Sequence, residues 1–240
     1  MNKITRTNLD EASGDSKIIT TNQSGIHEKL DEVVQRHLTH PFQKPYQVHT
    51  QKAFDDINER VQAFLADKPD GKVILDSCCG VGQSTRLLAS LNPDTLVVGV
   101  DKSSSRIERN VEGFDVENGY QADNFYLVRA DLNDFYRLVE AANWPITKHY
   151  ILYPNPWPKS KHLQRRWHGS AVFPTLISLG EEIILRSNWR LYLEEFQQAA
   201  KHVNLTGHLA DLARDEQPLT PFEAKYQASG QVCWQLSFTR

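Results

Sequence analysis

Three short β-prone runs, each closed by an aspartate, limit what this chain can fold into. They are Lys72 to Asp76 (KVILD), Thr95 to Asp101 (TLVVGVD) and Phe125 to Ala130 (FYLVRA), with Asp131 at the tip of the last. Short apolar runs bounded by turn residues read as strands buried on both faces. Helical patterns follow them at Gln83 to Leu91, Ser103 to Val111 and Asp134 to Glu140. Strands alternating with helices dictate a parallel sheet with right-handed crossovers. A fourth strand is expected at Tyr150 to Tyr153 and a fifth at Glu181 to Ser187, with a helix over Trp189 to His202. The end changes character. Gly207 to Leu212 and Val232 to Phe238 read as two more strands with no helix between them. In the last, Val232, Trp234, Leu236 and Phe238 alternate with Cys233, Gln235 and Ser237, so one face is much more apolar. The expected fold class is α/β: a doubly wound, Rossmann-like, seven-stranded sheet, mostly parallel, with a C-terminal antiparallel hairpin strand.

This sheet domain is expected over residues 71–240, and an N-terminal tail and helical extension over 1–70. Residues 1–24 are rich in Thr, Asn, Ser and charge, which fits a mobile tail or an extended cover. Ser24 could cap a helix from about Ile26 to Leu38, and a second helix is expected from Thr50 to Ala66. His37, His40 and His49 straddle Pro41 and Pro45 at a spacing that fits no common metal site, so surface or packing histidines are expected and no metal.

With 240 residues and 40% apolar composition, the chain can bury a sizeable core. A net charge of -3 excludes a wholly basic nucleic-acid binder, so any such role must rest on a local patch. Cys78 and Cys79 are adjacent, Cys233 is alone, and no CxxC occurs. That pattern indicates reduced thiols and a cytoplasmic protein without a zinc ribbon. Met1 to Ser16 has no apolar h-region, and no run approaches ~20 apolar residues, so neither a secretory signal nor a membrane span is expected. Monomer and homodimer both remain open.

In an open α/β sheet, ligands bind beyond the carboxyl ends of the strands, at the point where strand order reverses. Asp76 closes the first strand, Gly80-Val-Gly82 makes the turn, Asp101 closes the second strand, and Asp131 the third. An acid about 20 residues after a glycine loop commonly holds ribose hydroxyls. A dinucleotide wants G-x-G-x-x-G at a helix N-terminus for its pyrophosphate. This loop has no third glycine, and the acids around it repel phosphates. They suit a cationic cofactor with a ribose, which points to S-adenosylmethionine. The competing structural reading is that the aspartates cap the helices that follow them.

The second informative stretch is Pro154-Asn155-Pro156-Trp157-Pro158-Lys159, followed by Lys161, His162, Arg165 and Arg166. The prolines end the fourth strand in a stiff turn. Such a turn can present Asn155 and Trp157, and the cations beyond it suit a phosphate backbone. Trp157 can either stack on a splayed base or anchor the loop.

These residues resemble the class I S-adenosylmethionine methyltransferases and, more narrowly, the tRNA (guanine-N7)-methyltransferase family. That family carries Pro-Asp-Pro-Trp-Pro-Lys with a basic His/Arg run, a Thr-Asp-Trp after the fifth strand, and a Thr-x-Phe-Glu near the C-terminus. Here these read Pro154 to Lys159, Ser187-Asn188-Trp189, and Thr220-Pro221-Phe222-Glu223. The resemblance implies that Asp76, Gly80, Gly82, Asp101, Asp131 and Asn155 bind the cofactor. Asn155 then stands at the catalytic position. Lys159, Lys161, His162, Arg165, Arg166, Asn188, Thr220 and Glu223 contact the tRNA substrate. Two departures bear on the chemistry: Asn155 and Asn188 replace family aspartates, and each loses a negative charge. The first strand also ends Asp76-Ser-Cys-Cys-Gly80 where the family has Glu-(Ile/Val)-Gly-x-Gly.

The implied activity is methyl transfer to N7 of guanine in tRNA. Asn155-Pro156-Trp157 also resembles the Asn-Pro-Pro-aromatic pattern of enzymes that methylate exocyclic amines, so a nucleobase or small-molecule amine is an alternative acceptor. The lost carboxylates leave a third possibility, a weakly catalytic or purely binding protein.

Overall fold

The computed structural model describes residues 16–108 and 123–240. Among the described residues the strands form one seven-stranded sheet of order β3-β2-β1-β4-β5-β7-β6. Its strands are β1 (Lys72–Ser77), β2 (Thr95–Asp101), β3 (Phe125–Arg129), β4 (Ile146–Leu152), β5 (Glu182–Ser187), β6 (His208–Asp211) and β7 (Trp234–Thr239). The first five are parallel, and β7 runs antiparallel to both β5 and β6. The helices are α1 (Leu30–Thr39), α2 (Val48–Asp67), α3 (Gln83–Leu91), α4 (Ser104–Ile107), α5 (Leu132–Ala141), α6 (Phe173–Ser178), α7 (Arg190–Ala200) and α8 (Pro221–Ala228).

Alternate residues of the central strands divide between two separate cores. Val73, Leu75, Leu96 and Val98 join the larger core with α1, α2, α5 and α7. Ile74 and Val97 join a smaller one with Leu88 and Ala89 of α3. The sheet is therefore covered on both faces, which explains why β1 and β2 read as unbroken apolar runs.

Several elements differ from expectation, each for a physical reason. The strand β4 starts at Ile146, earlier than Tyr150, because Thr147, Lys148 and His149 masked it with polar side chains. It stops before Tyr153, whose φ of 48° breaks the extended path. The first helix starts at Leu30 after Lys29, not after Ser24, because the backbone N–H of His27 is taken by Glu195. A helix, α8, does separate β6 from β7, contrary to expectation. Its local pattern is weak, but Thr220 accepts a hydrogen bond from the Glu223 N–H, and Pro221 stands at the first helical position. Of the helix expected at Ser103 to Val111, Ser104–Ile107 is observed, and positions 109–111 lie outside the described residues. So do residues 1–15 of the expected tail. The basic segment forms two short 3-10 helices, Ser160–Arg165 and Trp167–Gly169.

Candidate active site

Strand order reverses between β1 and β4, which are neighbours in the sheet. The loops that leave their carboxyl ends, 78–82 and 153–159, flank that switch point, where open sheets hold ligands.

The β1 side is acidic and glycine-lined. Asp76 is fully buried, and its Oδ2 accepts hydrogen bonds from Ser84 Oγ at 2.6 Å and Thr85 Oγ1 at 2.7 Å. Its Oδ1 is buried without a partner among the described residues. Burial pushes the carboxyl up to about 6, against the pull of the two hydroxyls, and the nearby Asp101 adds to the rise. Asp101 accepts from the Ser103 N–H at 2.8 Å through Oδ1, and from the Gly80 N–H and Arg106 Nη1, both at 3.1 Å, through Oδ2. Gly80 has φ of 61°, and a Cβ there would meet nothing within 4 Å, so the turn is open on that side while its N–H bonds Asp101. Gly82 serves differently: at φ 79° it opens α3, and a Cβ would strike the Leu127 side chain at 2.7 Å. Asp131 caps α5, its Oδ1 accepting from the Asn133 N–H at 2.9 Å and from Asn133 Nδ2 at 2.8 Å. The helix-capping reading therefore describes Asp131, whereas Asp76 and Asp101 form the acid pair beside the glycine turn.

The β4 side carries the Pro-Asn-Pro-Trp-Pro loop. Asn155 is exposed, and its Oδ1 accepts from the Trp157 N–H at 3.3 Å, closing an Asx turn. The Trp157 ring lies edge-on to His162, with centroids 5.5 Å apart, and Arg165 sits over it at 4.6 Å. Lys159, Lys161 and Arg165 are exposed, and His162 is half-buried.

Three expected substrate contacts lie inside the protein. Arg166 is 0% exposed, ion-paired with Glu195 and bonded to the Trp157 carbonyl, so its guanidinium faces the protein. Thr220 is buried as the cap of α8. Glu223 is buried against Arg186 Nη1 at 2.7 Å, while Arg186 Nη2 also reaches Glu216. Burial raises the Glu223 carboxyl, opposed by Arg186, and its Oε2 has no partner among the described residues. Asn188, half-buried, donates to Gln231 Oε1 at 2.9 Å.

Sequence reasoning missed Arg106, Arg186 and Glu195. For Glu195 a signal existed: it falls on the α7 face with Tyr192, Phe196 and Ala199, all buried. A single acid on an apolar stripe needs a buried partner.

Among the described residues no group of His, Cys, Asp and Glu could hold a metal ion, and no helix is long and apolar enough to cross a membrane.

The chain is similar to the tRNA (guanine-N(7)-)-methyltransferase of Treponema pallidum (strain Nichols), at 24% identity over 67% of this chain. It spans 64% of the length of that relative. It is 27% identical to the enzyme of the same name from Haemophilus influenzae, covering 71% of each chain. Among solved structures, the antibiotic-resistance methyltransferase Kmr superposes with a TM-score of 0.52 at 18% identity, over 76% of this chain and 92% of that one. The 16S rRNA (adenine(1408)-N(1))-methyltransferase of Catenulisporales acidiphilia gives 0.51 at 14% identity, over 76% and 90%. At such identities these two show the shared fold. The family model Methyltransf_4, described as "Putative methyltransferase", matches residues 70–236, from the residues before β1 into β7. That match takes in both loops at the switch point and most of the chain, and this protein belongs to the Methyltransf_4 family.

Proposed function

We propose that this chain transfers the methyl group of S-adenosylmethionine to N7 of a guanine in tRNA. The observation that carries this reading is the Pro154–Lys159 loop, set at the carboxyl end of β4 beside the acid pair, with Lys159, Lys161 and Arg165 exposed along it. The relatives named tRNA (guanine-N(7)-)-methyltransferase support the acceptor.

The residues present fit the cofactor. The unpartnered, buried Oδ1 of Asp76 and the open space at Gly80 suit a cationic, ribose-bearing ligand. Bound there, S-adenosylmethionine would supply an electrophilic methyl carried by a cationic sulfur. Asp101 would accept from the ribose diol, with the half-exposed Arg106 giving up its place on Oδ2. Guanine N7 carries a lone pair and no proton, so no residue has to act as a general base. The chain's task is alignment, which can supply several kcal/mol or more of the barrier. Asn155 offers its amide dipole to the base as it becomes cationic, a weaker stabiliser than a carboxylate at the same place. Trp157 supports a base face, and the exposed cations hold the backbone.

The amide of Asn155 also favours a second reading, in which its oxygen accepts from an exocyclic amine and the amine nitrogen is the acceptor. A tRNA transcript made with 7-deazaguanosine separates the two, because it has C–H in place of N7 and keeps every exocyclic amine. The N7 reading expects methyl transfer to the ordinary transcript and none to the deaza transcript. Equal transfer to both would contradict it.

A further inference from the structure

The Pro-Asn-Pro-Trp-Pro loop is held in a backbone conformation that its residues disfavour. Tyr153 has φ of 48° and Trp157 φ of 45°, both left-handed and neither glycine. Each costs roughly 1–2 kcal/mol, so the conformation persists only where its surroundings enforce it. The enforcement is visible. Arg166 donates from Nε to the Trp157 carbonyl at 3.2 Å, and from Nη2 to the same carbonyl at 3.1 Å and to the Lys159 carbonyl at 3.5 Å. The Thr21 hydroxyl donates to the Pro158 carbonyl at 2.5 Å, and the Ser160 N–H donates to Asn22 Oδ1 at 3.0 Å. Three successive carbonyls and the N–H that follows them are therefore tied down.

Behind Arg166 stands a second, buried layer. Its Nη1 pairs with Glu195 Oε2, and its Nη2 donates to Gln23 Oε1 at 3.1 Å. Glu195 also takes His168 Nε2 at 3.0 Å, Gln23 Nε2, and the His27 N–H at 2.9 Å. Every oxygen of this carboxylate is occupied, which is what a buried charge requires. The arrangement differs from that of a phosphate-binding arginine, whose guanidinium must face solvent.

Resting on the methyl-transfer reading above, we propose that Arg166, set by Glu195 and Gln23, is a positioning residue that fixes the main chain from Trp157 to Lys159 and so aims Asn155 and Lys159 at the methyl acceptor. The N-terminal segment from Thr21 to His27 is part of that clamp, so the residues before the sheet domain take part in the site.

Arg166→Lys keeps a cation beside Glu195 but loses the planar fork that grips two carbonyls. Gln23→Ala loosens the guanidinium from behind and leaves the ion pair. Both are expected to lower kcat, about tenfold or more for Arg166→Lys and less for Gln23→Ala. The affinity for S-adenosylmethionine and the salt dependence of tRNA binding should stay unchanged. A raised KM for tRNA with a flatter salt dependence and intact kcat would make Arg166 a phosphate contact and overturn the proposal. Unaltered kcat, KM and binding in both variants would overturn it as well. Trypsin supplies a readout that does not depend on the acceptor: cleavage after Lys159 and Lys161 should be faster in both variants than in the wild type. An unchanged cleavage rate contradicts the clamp. A wild type that methylates no guanine while its variants are cut faster contradicts the acceptor reading alone.

Discussion

The Asp76 carboxyl is buried, bonded through one oxygen, and pushed up to about 6 from its ordinary 3.8, first by desolvation. An acid raised in the folded state holds its proton more tightly there than in the unfolded chain. Stability from this group is therefore greatest at low pH and falls as pH rises from 3.8 to about 6, by roughly 3 kcal/mol in all. A cationic ligand reverses the effect by favouring the carboxylate, so affinity for S-adenosylmethionine should climb over the same interval. Asp76→Asn should abolish this part of the pH dependence in urea unfolding and weaken cofactor binding at least tenfold by calorimetry. An unchanged slope between pH 4 and 6 would refute the assignment. At Asn155 the charge argument predicts a gain. Asn155→Asp places a carboxylate at an exposed position, worth up to about 1 kcal/mol, so guanine methylation should rise by up to roughly fivefold in single-turnover kinetics. A loss would mark a site adapted to the amide. The sequence showed both residues because each closes a strand or a proline turn. It did not show that Thr220 and Glu223 would be buried, since motif residues carry no sign of which way their side chains turn.

Among the elements, the basic segment divides into an outer and an inner face. Its 3-10 turn brings Lys161 and Arg165 out and Arg166 in. Neutralising Lys161 and Arg165 together should flatten the salt dependence of tRNA binding by about 1.5 to 2 in log–log slope. Removing the Arg166 cation is a different perturbation. Arg166→Ala leaves Glu195 buried without its main partner and should cost about 3–5 kcal/mol of stability in denaturant unfolding. The same hub is acid-sensitive. Burial lowers the His168 imidazole below its ordinary 6.5 despite Glu195, so the fold loses stability as pH falls below 6.5. Glu195 is lowered to about 2: desolvation raises it, but His168, Arg166 and Gln23 outweigh burial. Its contribution, complete above 4.5, is lost as pH falls toward 2. A sequence of like charges cannot reveal this split, because a 3-10 turn sends neighbours in directions that no helical or strand period anticipates.

At the scale of the whole molecule, the sheet was legible because β1 and β2 are buried runs closed by turn residues, and buried parallel strands write themselves as apolar sequence. The β4 start and α8 were not, since Thr147 to His149 look like surface and α8 is short and weakly amphipathic. Nor was the attachment of residues 16–27 legible. That stretch crosses from Ser229 and Gln231, through Pro158 and Ser160, to Glu195, by single polar contacts that leave no periodic trace. The candidate site thus gathers the loops after β1 and β4, and residues 21–27 bind the second of these loops and Glu195. Under the proposed function these surfaces together place a methyl donor against guanine N7. The most direct test is transfer of labelled methyl from S-adenosylmethionine to bulk tRNA, followed by nucleoside analysis. Label is expected in 7-methylguanosine; label in any other nucleoside, or none in RNA despite cofactor binding, would contradict the proposed function.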